Sequence, residues 1–121
     1  MMIVGVHHIQ LAMPVGGEQA AREFYERLFG ISEVPKPPDL LERGGVWFES
    51  ANVRIHLGVE PDFRPARKAH PGLLVKDLPA LIRRLRDAGL EVIDDDRVAD
   101  CHRAYVNDPF GNRIELMELR T

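Results

Sequence analysis

Two stretches of this chain are near copies of each other. Arg54-Ile55-His56-Leu57 in the first half is answered by Arg113-Ile114-Glu115-Leu116 in the second. The second copy follows Asp108-Pro109-Phe110-Gly111, where Pro109 and Gly111 punctuate a tight turn, and the alternation after it reads as a strand. Arg113, Glu115 and Met117 then share one face, and Ile114 and Leu116 the other. A carboxylate between apolar neighbours in mid-strand faces water or has a partner that offsets its desolvation, such as a metal or a cationic side chain. Such an echo restricts the chain to two similar halves.

The rest of the chain bears the repeat out as a pattern. Residues 3–13 alternate as a strand, with His8 and Gln10 on its more polar side and Ile9, Leu11 and Met13 on the other. From about Glu18 to Phe29 the residues Ala21, Phe24, Tyr25, Leu28 and Phe29 recur at helical spacing, and Gly30 stops the helix. Short strands are expected at 31–34, 46–49 and 53–59, with Lys36-Pro37-Pro38 outside regular structure. The segment 60–68, with Pro61 and Pro65, is the connection between halves. The order then restarts: a strand at 69–76 carrying His70, Asp77 as N-cap of a helix with the stripe Leu78, Leu81, Ile82 and Leu85, Gly89 as its stop, and strands at 91–94, 102–107 and 113–119. The expected architecture is α+β, a single domain over 1–121 made of two βαβββ modules at about 3–60 and 67–120.

His8 and His70 fall in the first strands of their halves, His56 and Glu115 in the last. The separation from His8 to His56 is 48 residues and from His70 to Glu115 is 45, so the copies differ only by a small loop. Related halves that pack about a pseudo-twofold axis bring equivalent inward positions together. Imidazole nitrogen and carboxylate oxygen suit first-row divalent metals, and two histidines with one carboxylate leave positions open for substrate or water. His8, His70 and Glu115 make that set, with His56 as a fourth ligand or a partner behind it, and Glu115 as the residue able to carry a proton. The competing reading is that each is an ordinary hydrogen-bonded or surface residue. His7 should point away from the face of His8, and His102 is expected to be exposed. Arg54, Arg113 and Arg103 are candidates to hold an anionic substrate, or are simply solvated ion-pair partners. Trp47, Phe48, Phe63 and Tyr105 are candidates for an apolar pocket wall, or for the core.

Composition narrows the function classes. A chain of 121 residues whose charges sum to −3 with both signs interspersed has no basic stripe for nucleic acid. A mean hydropathy of −0.21 and no long apolar run argue against a membrane span. The N-terminal residues lack the pattern of a secretory signal, and one cysteine, Cys101, cannot form an intrachain disulfide, so a cytoplasmic setting is expected.

In order and spacing, Val6-His7-His8-Ile9-Gln10-Leu11-Ala12, Phe24-Tyr25-Glu26-Arg27-Leu28-Phe29-Gly30, the second start from His70 to Leu78 and Asp108 to Leu116 make the chain resemble the vicinal oxygen chelate superfamily, the glyoxalase, bleomycin-resistance and extradiol dioxygenase group. The resemblance implies paired βαβββ modules in an open, barrel-like mixed sheet around a central cavity with a divalent metal (Fe, Mn, Ni, Co or Zn), commonly in a homodimer. Position by position it places the metal ligands at His8, His70 and Glu115. Glyoxalase I relatives supply a glutamate where this chain has His56, which argues against lactoylglutathione lyase activity. The expected function is metal-dependent chemistry of the lyase or isomerase type on a small carbonyl-containing substrate, with dioxygenation second. The rival is a metal-free drug-sequestering protein of the bleomycin-resistance type.

Overall fold

A computed structural model of the chain describes residues 1–95 and 100–120. The chain divides into two compact units, Met1–Arg64 and Pro65–Thr121. Each is built on one four-stranded mixed sheet, so the α+β class and the two βαβββ modules are what the fold contains. No helix among the described residues is long and apolar enough to cross a membrane.

Module one runs β1 (Ile9–Met13), α1 (Glu18–Ala21), β2 (Glu33–Val34), β3 (Val46–Ser50) and β4 (Val53–Val59), with the sheet order β1-β4-β3-β2. Pairing of β1 with β4 is parallel and the remaining pairs are antiparallel. β1 is shorter than its alternation suggests. In the register Ile9↔Ile55 to Met13↔Val59, β4 has already begun at Val53, so residues 3–6 extend past the end of the neighbouring strand and pair with no strand among the described residues. Alternation sets which side each residue would face, but only a partner makes a strand.

The first helix also departs from expectation. After Ala21 it widens into a π-helical stretch, Arg22–Leu28, in which Phe29 N–H donates to the Phe24 carbonyl. The wider turn accompanies an aromatic cluster: Phe24 lies 4.5 Å from Phe29 and 4.9 Å from Tyr25 between ring centroids, and Tyr25 stacks at 5.5 Å on Phe48. Large rings packed on one face are a reason for a helix to accept π geometry. A 3-10 stretch, Pro38–Arg43, occupies the region expected to be irregular, with Pro38 where a missing N–H costs no helical bond.

Module two repeats the order with β5 (Gly72–Leu74), α2 (Leu78–Asp87), β6 (Val92–Asp95), β7 (Cys101–Asn107) and β8 (Arg113–Leu119), arranged β5-β8-β7-β6. β5 is again shorter than predicted, because Pro71 has no N–H to give β8, although its carbonyl still accepts from Glu115 N. Helix α2 buries Leu78, Ile82 and Leu85, while Leu81 is half-buried. Its start is doubly tied. The Asp77 carboxylate accepts from Ala80 N, and the Glu118 carboxylate accepts from both Asp77 N and Leu78 N at 3.0 Å, so three of the N–H groups that open the helix have partners.

Both β4 and β8 present a fully apolar inner row, Ile55 and Leu57 in one, Ile114 and Leu116 in the other, none more than 1% exposed. The opposite row carries the chemistry. One buried polar unit sits in the turn before β8: Asn112, with no exposed surface, donates through Nδ2 to Asp108 Oδ2, accepts from Ala66 N, and gives its own N–H to Asp108 Oδ1.

Candidate metal centre

The registers convert the sequence echo into a positional one. Gln10 pairs with His56 across β1 and β4, and Gly72 pairs with Glu115 across β5 and β8. His8 and His70 each lie two residues before those partners, so they occupy equivalent positions. By the same registers Trp47 opposite His56 corresponds to Tyr105 opposite Glu115. Arg54 and Arg113, each two residues before His56 and Glu115, also correspond.

In module two, His70 and Glu115 are brought together, with Nε2 of the imidazole 3.1 Å from Oε1 of the carboxylate. The other ring nitrogen, Nδ1, is 2.8 Å from the Lys68 carbonyl oxygen. A carbonyl only accepts, so Nδ1 carries the proton, and in the neutral ring Nε2 presents its lone pair to the carboxylate. Two acceptors facing each other at that distance need a cation between or beside them, either a proton on the ring or a metal ion. A backbone carbonyl that fixes the tautomer and aims the lone pair is the usual support of a metal-binding histidine. The donor set therefore fits a divalent cation. Glu115 Oε2 is 3.6 Å from Arg103, whose guanidinium also contacts the buried carboxylate of Asp95 at 3.2 Å. Arg103 thus holds Glu115 from behind; its Nε is buried without a hydrogen-bond partner among the described residues.

In module one the equivalent positions are used differently. His56 is 4% exposed and stacked between two rings, Trp47 at 3.9 Å and His8 at 4.5 Å, and its Nε2–H donates to Glu49 Oε2 at 2.8 Å. The hydrogen bond from His56 holds the Glu49 carboxyl below the usual carboxylate range, against the opposing effect of desolvation and with help from the charges of His56, Arg54 and His7. Nε2 of His56 is thus committed to Glu49, and the ring stacks on that of His8. His8 itself is exposed just before β1, with its Nδ1 3.0 Å from Nδ1 of His7, so His7 is its neighbour in space and not on a remote face. Among the described residues, no group of three or more His, Cys, Asp or Glu side chains comes together.

The other candidates divide. Phe48 has no exposed surface and belongs to the core, packed on Tyr25, so it is not available to line a pocket. Trp47 and Tyr105 lie on the half-exposed rows, and Phe63 is half-buried in the connecting segment. Arg54 lies 3.9 Å from Glu49 and donates to the His7 carbonyl, whereas Arg113 lies over the Tyr105 ring at 4.2 Å. His102 is half-buried, not exposed as expected, with Nε2 2.6 Å from Oδ1 of Asp94. Glu49, Asp95 and the Lys68 carbonyl were also missed. The last acts through the backbone and leaves no sequence signal; Glu49 reaches His56 diagonally across strands and Asp95 stands directly across from Arg103, both visible only once register is known.

The sequence profile of the Glyoxalase/Bleomycin resistance protein/Dioxygenase superfamily matches residues 5–116. The chain belongs to that superfamily. A solved structure of a glyoxalase family protein from Bacillus anthracis is 48% identical and superposes with a TM-score of 0.94, over 99% of this chain and 98% of the other. Two more distant structures share the superfamily fold. One is the antibiotic-binding protein TnmS3 from a Streptomyces species (23% identity, TM-score 0.76, 99% of each chain). The other is a point mutant of the fosfomycin resistance protein FosX from Listeria monocytogenes, complexed with Mn(II) and 1S,2S-dihydroxypropylphosphonic acid (18% identity, TM-score 0.81, 98% of this chain and 95% of the other). No curated protein matched the sequence. Structures bearing this superfamily fold thus include one with a metal and one described as an antibiotic binder.

Proposed function

We propose that this superfamily member is a divalent-metal-dependent enzyme acting on a small oxygenated substrate, with His8, His70 and Glu115 as the metal ligands and His56 behind His8. The observation that carries the reading is the placement of His70, with Nδ1 2.8 Å from the Lys68 carbonyl and Nε2 3.1 Å from Oε1 of Glu115. A bound dication would supply a Lewis acid for neighbouring substrate oxygens. The chain's own contribution is orientation and proton handling. Lys68 and Glu115 hold the imidazole, Arg103, itself paired with Asp95, holds the carboxylate, and Glu115 accepts and returns the proton on a carbon beside a carbonyl. Proton transfer of this kind, giving isomerase or lyase chemistry, is the first reaction class, and dioxygenation with ferrous iron the second. Trp47 and Tyr105 serve as aromatic walls. We further propose a cytoplasmic homodimer, since each sheet ends in edge strands and Ile3, Val4 and Val6 stand at least 80% exposed.

The second reading is drug sequestration without chemistry, favoured by the lack of a third donor beside His70 and Glu115 among the described residues. Metal content decides between them. Elemental mass spectrometry on untagged protein purified without chelator is expected to find near-stoichiometric metal in the wild type and a loss of more than tenfold in His70→Ala and Glu115→Ala, as expected when a ligand is removed. Wild-type protein that stays empty after exposure to iron, manganese, nickel, cobalt and zinc would hand the assignment to sequestration.

A further inference from the structure

The two corresponding arginines differ in the residue they face. In module one Arg54 stands across from Glu49, and the two are 3.9 Å apart. In module two the corresponding Arg113 stands across from Asn107, an amide that neutralises nothing. Among the described residues no carboxylate pairs with the Arg113 guanidinium, which lies on the Tyr105 ring at 4.2 Å. Both residues also line a cavity of about 450 Å³, whose lining includes Ile93, Leu90 and the Asn107–Pro109 turn. The volume is in the range that holds a small organic ligand. Of the two carboxylates in the lining, Asp108 is buried and spent on its own turn, accepting from Phe110 N and Asn112, and Glu91 is exposed.

Tyr105 joins this cavity to the candidate metal centre. It pairs across the strands with Glu115, and the His70 ring lies 6.1 Å from it. Arg113 and Glu115 are two residues apart on one strand face, so their Cα atoms are about 7 Å apart. A guanidinium flattened on an aromatic ring still offers its edge, and a paired N–H edge matches the planar, two-oxygen shape of a carboxylate. Ile93 and Leu90 supply apolar surface for a short carbon chain.

We propose that Arg113 and this cavity form the subsite for the carboxylate of a small oxo acid, whose carbonyl end then lies toward Glu115. The inference rests on the reading of Glu115 as the reacting carboxylate only for that orientation; the carboxylate subsite itself needs no metal. Arg54, neutralised by Glu49, has no such role.

The test uses levulinate, an oxo acid, and its neutral amide as probes on the full chain after chelator treatment, following the Arg113 Nε–H and Tyr105 ring signals by NMR. Levulinate should shift both saturably and the amide should not. Arg113→Gln should weaken levulinate at least tenfold, as expected for the loss of a charge-assisted pair. Arg113→Lys should fall between, and Arg27→Gln should leave binding unchanged. Glu91→Gln should tighten binding a few-fold by removing the one exposed negative charge, which keeps the test open if Arg113→Gln is unstable. Equal response to the amide, or unchanged affinity in Arg113→Gln, overturns the subsite. Metal content of the wild type separates the two readings: protein that never takes metal yet binds levulinate through Arg113 keeps this subsite and loses the proposed chemistry. Protein that takes metal but ignores levulinate does the reverse.

Discussion

The His56–Glu49 pair shows how much a single residue depends on its cross-strand company. Glu49 is held below the usual carboxylate range chiefly by the hydrogen bond from His56. A depressed folded-state value means the pair's stabilisation is fully present above the unfolded carboxylate range, about pH 4.3, and is lost as pH falls through the lowered folded value. Urea unfolding between roughly pH 3 and pH 7 should therefore give a wild-type curve that loses stability on the acid side. Glu49→Gln should be less stable near neutrality and converge on wild type in acid; a constant offset across the whole range would show that the pair is not the cause. Asn112 gives the second prediction at this scale. Truncation to Ala strands the Ala66 N–H and removes one bond to buried Asp108, at a cost of about 3 kcal/mol, readable as a lowered urea midpoint with an unchanged slope. The sequence marked the turn through Pro109 and Gly111 and gave Asn112 no role. Its partner, Ala66, is 46 positions away.

At the scale of elements, α2 is the one whose sequence signals nearly sufficed. The apolar stripe, Asp77 before it and Gly89 after it located the helix. What they did not reveal is that Glu118, from the last strand, holds the same N-terminus. Asp77 is in the left-handed region with φ +69, so its cap is made from a strained backbone. The carboxylate of Glu118, on two free N–H groups at the positive end of the helix, offsets that strain. Glu118→Ala is expected to cost about 1–2 kcal/mol by removing two charge-assisted bonds, and to raise amide exchange selectively in the first turn of α2. Asp77→Asn should be nearly neutral, since asparagine caps as well and tolerates the left-handed region. Exchange that rises evenly along the helix in Glu118→Ala would mean that the side chain acts elsewhere. The first helix was read less fully: its stripe placed the buried aromatics, but helical spacing does not distinguish an α-helix from the π stretch those rings settle into.

For the whole molecule, the governing fact is that one pattern was used twice with different side chains. Corresponding positions hold His56 and Glu115, Trp47 and Tyr105, and the arginines facing Glu49 and Asn107. The proposed homodimer predicts a mass by light scattering of twice 13.7 kDa at micromolar concentration; a single-chain mass at every concentration would remove it. The halves, the strand faces and the ligand-type residues could all be read from the sequence, because side-chain alternation and helical spacing are properties of consecutive residues. Strand ends, the burial of Phe48 and of His56, the neighbours of the two His70 ring nitrogens and the lack, among the described residues, of a carboxylate paired with Arg113 could not. Each depends on which backbone lies across from which, and hydrogen-bond register between distant segments is settled only when the sheets form.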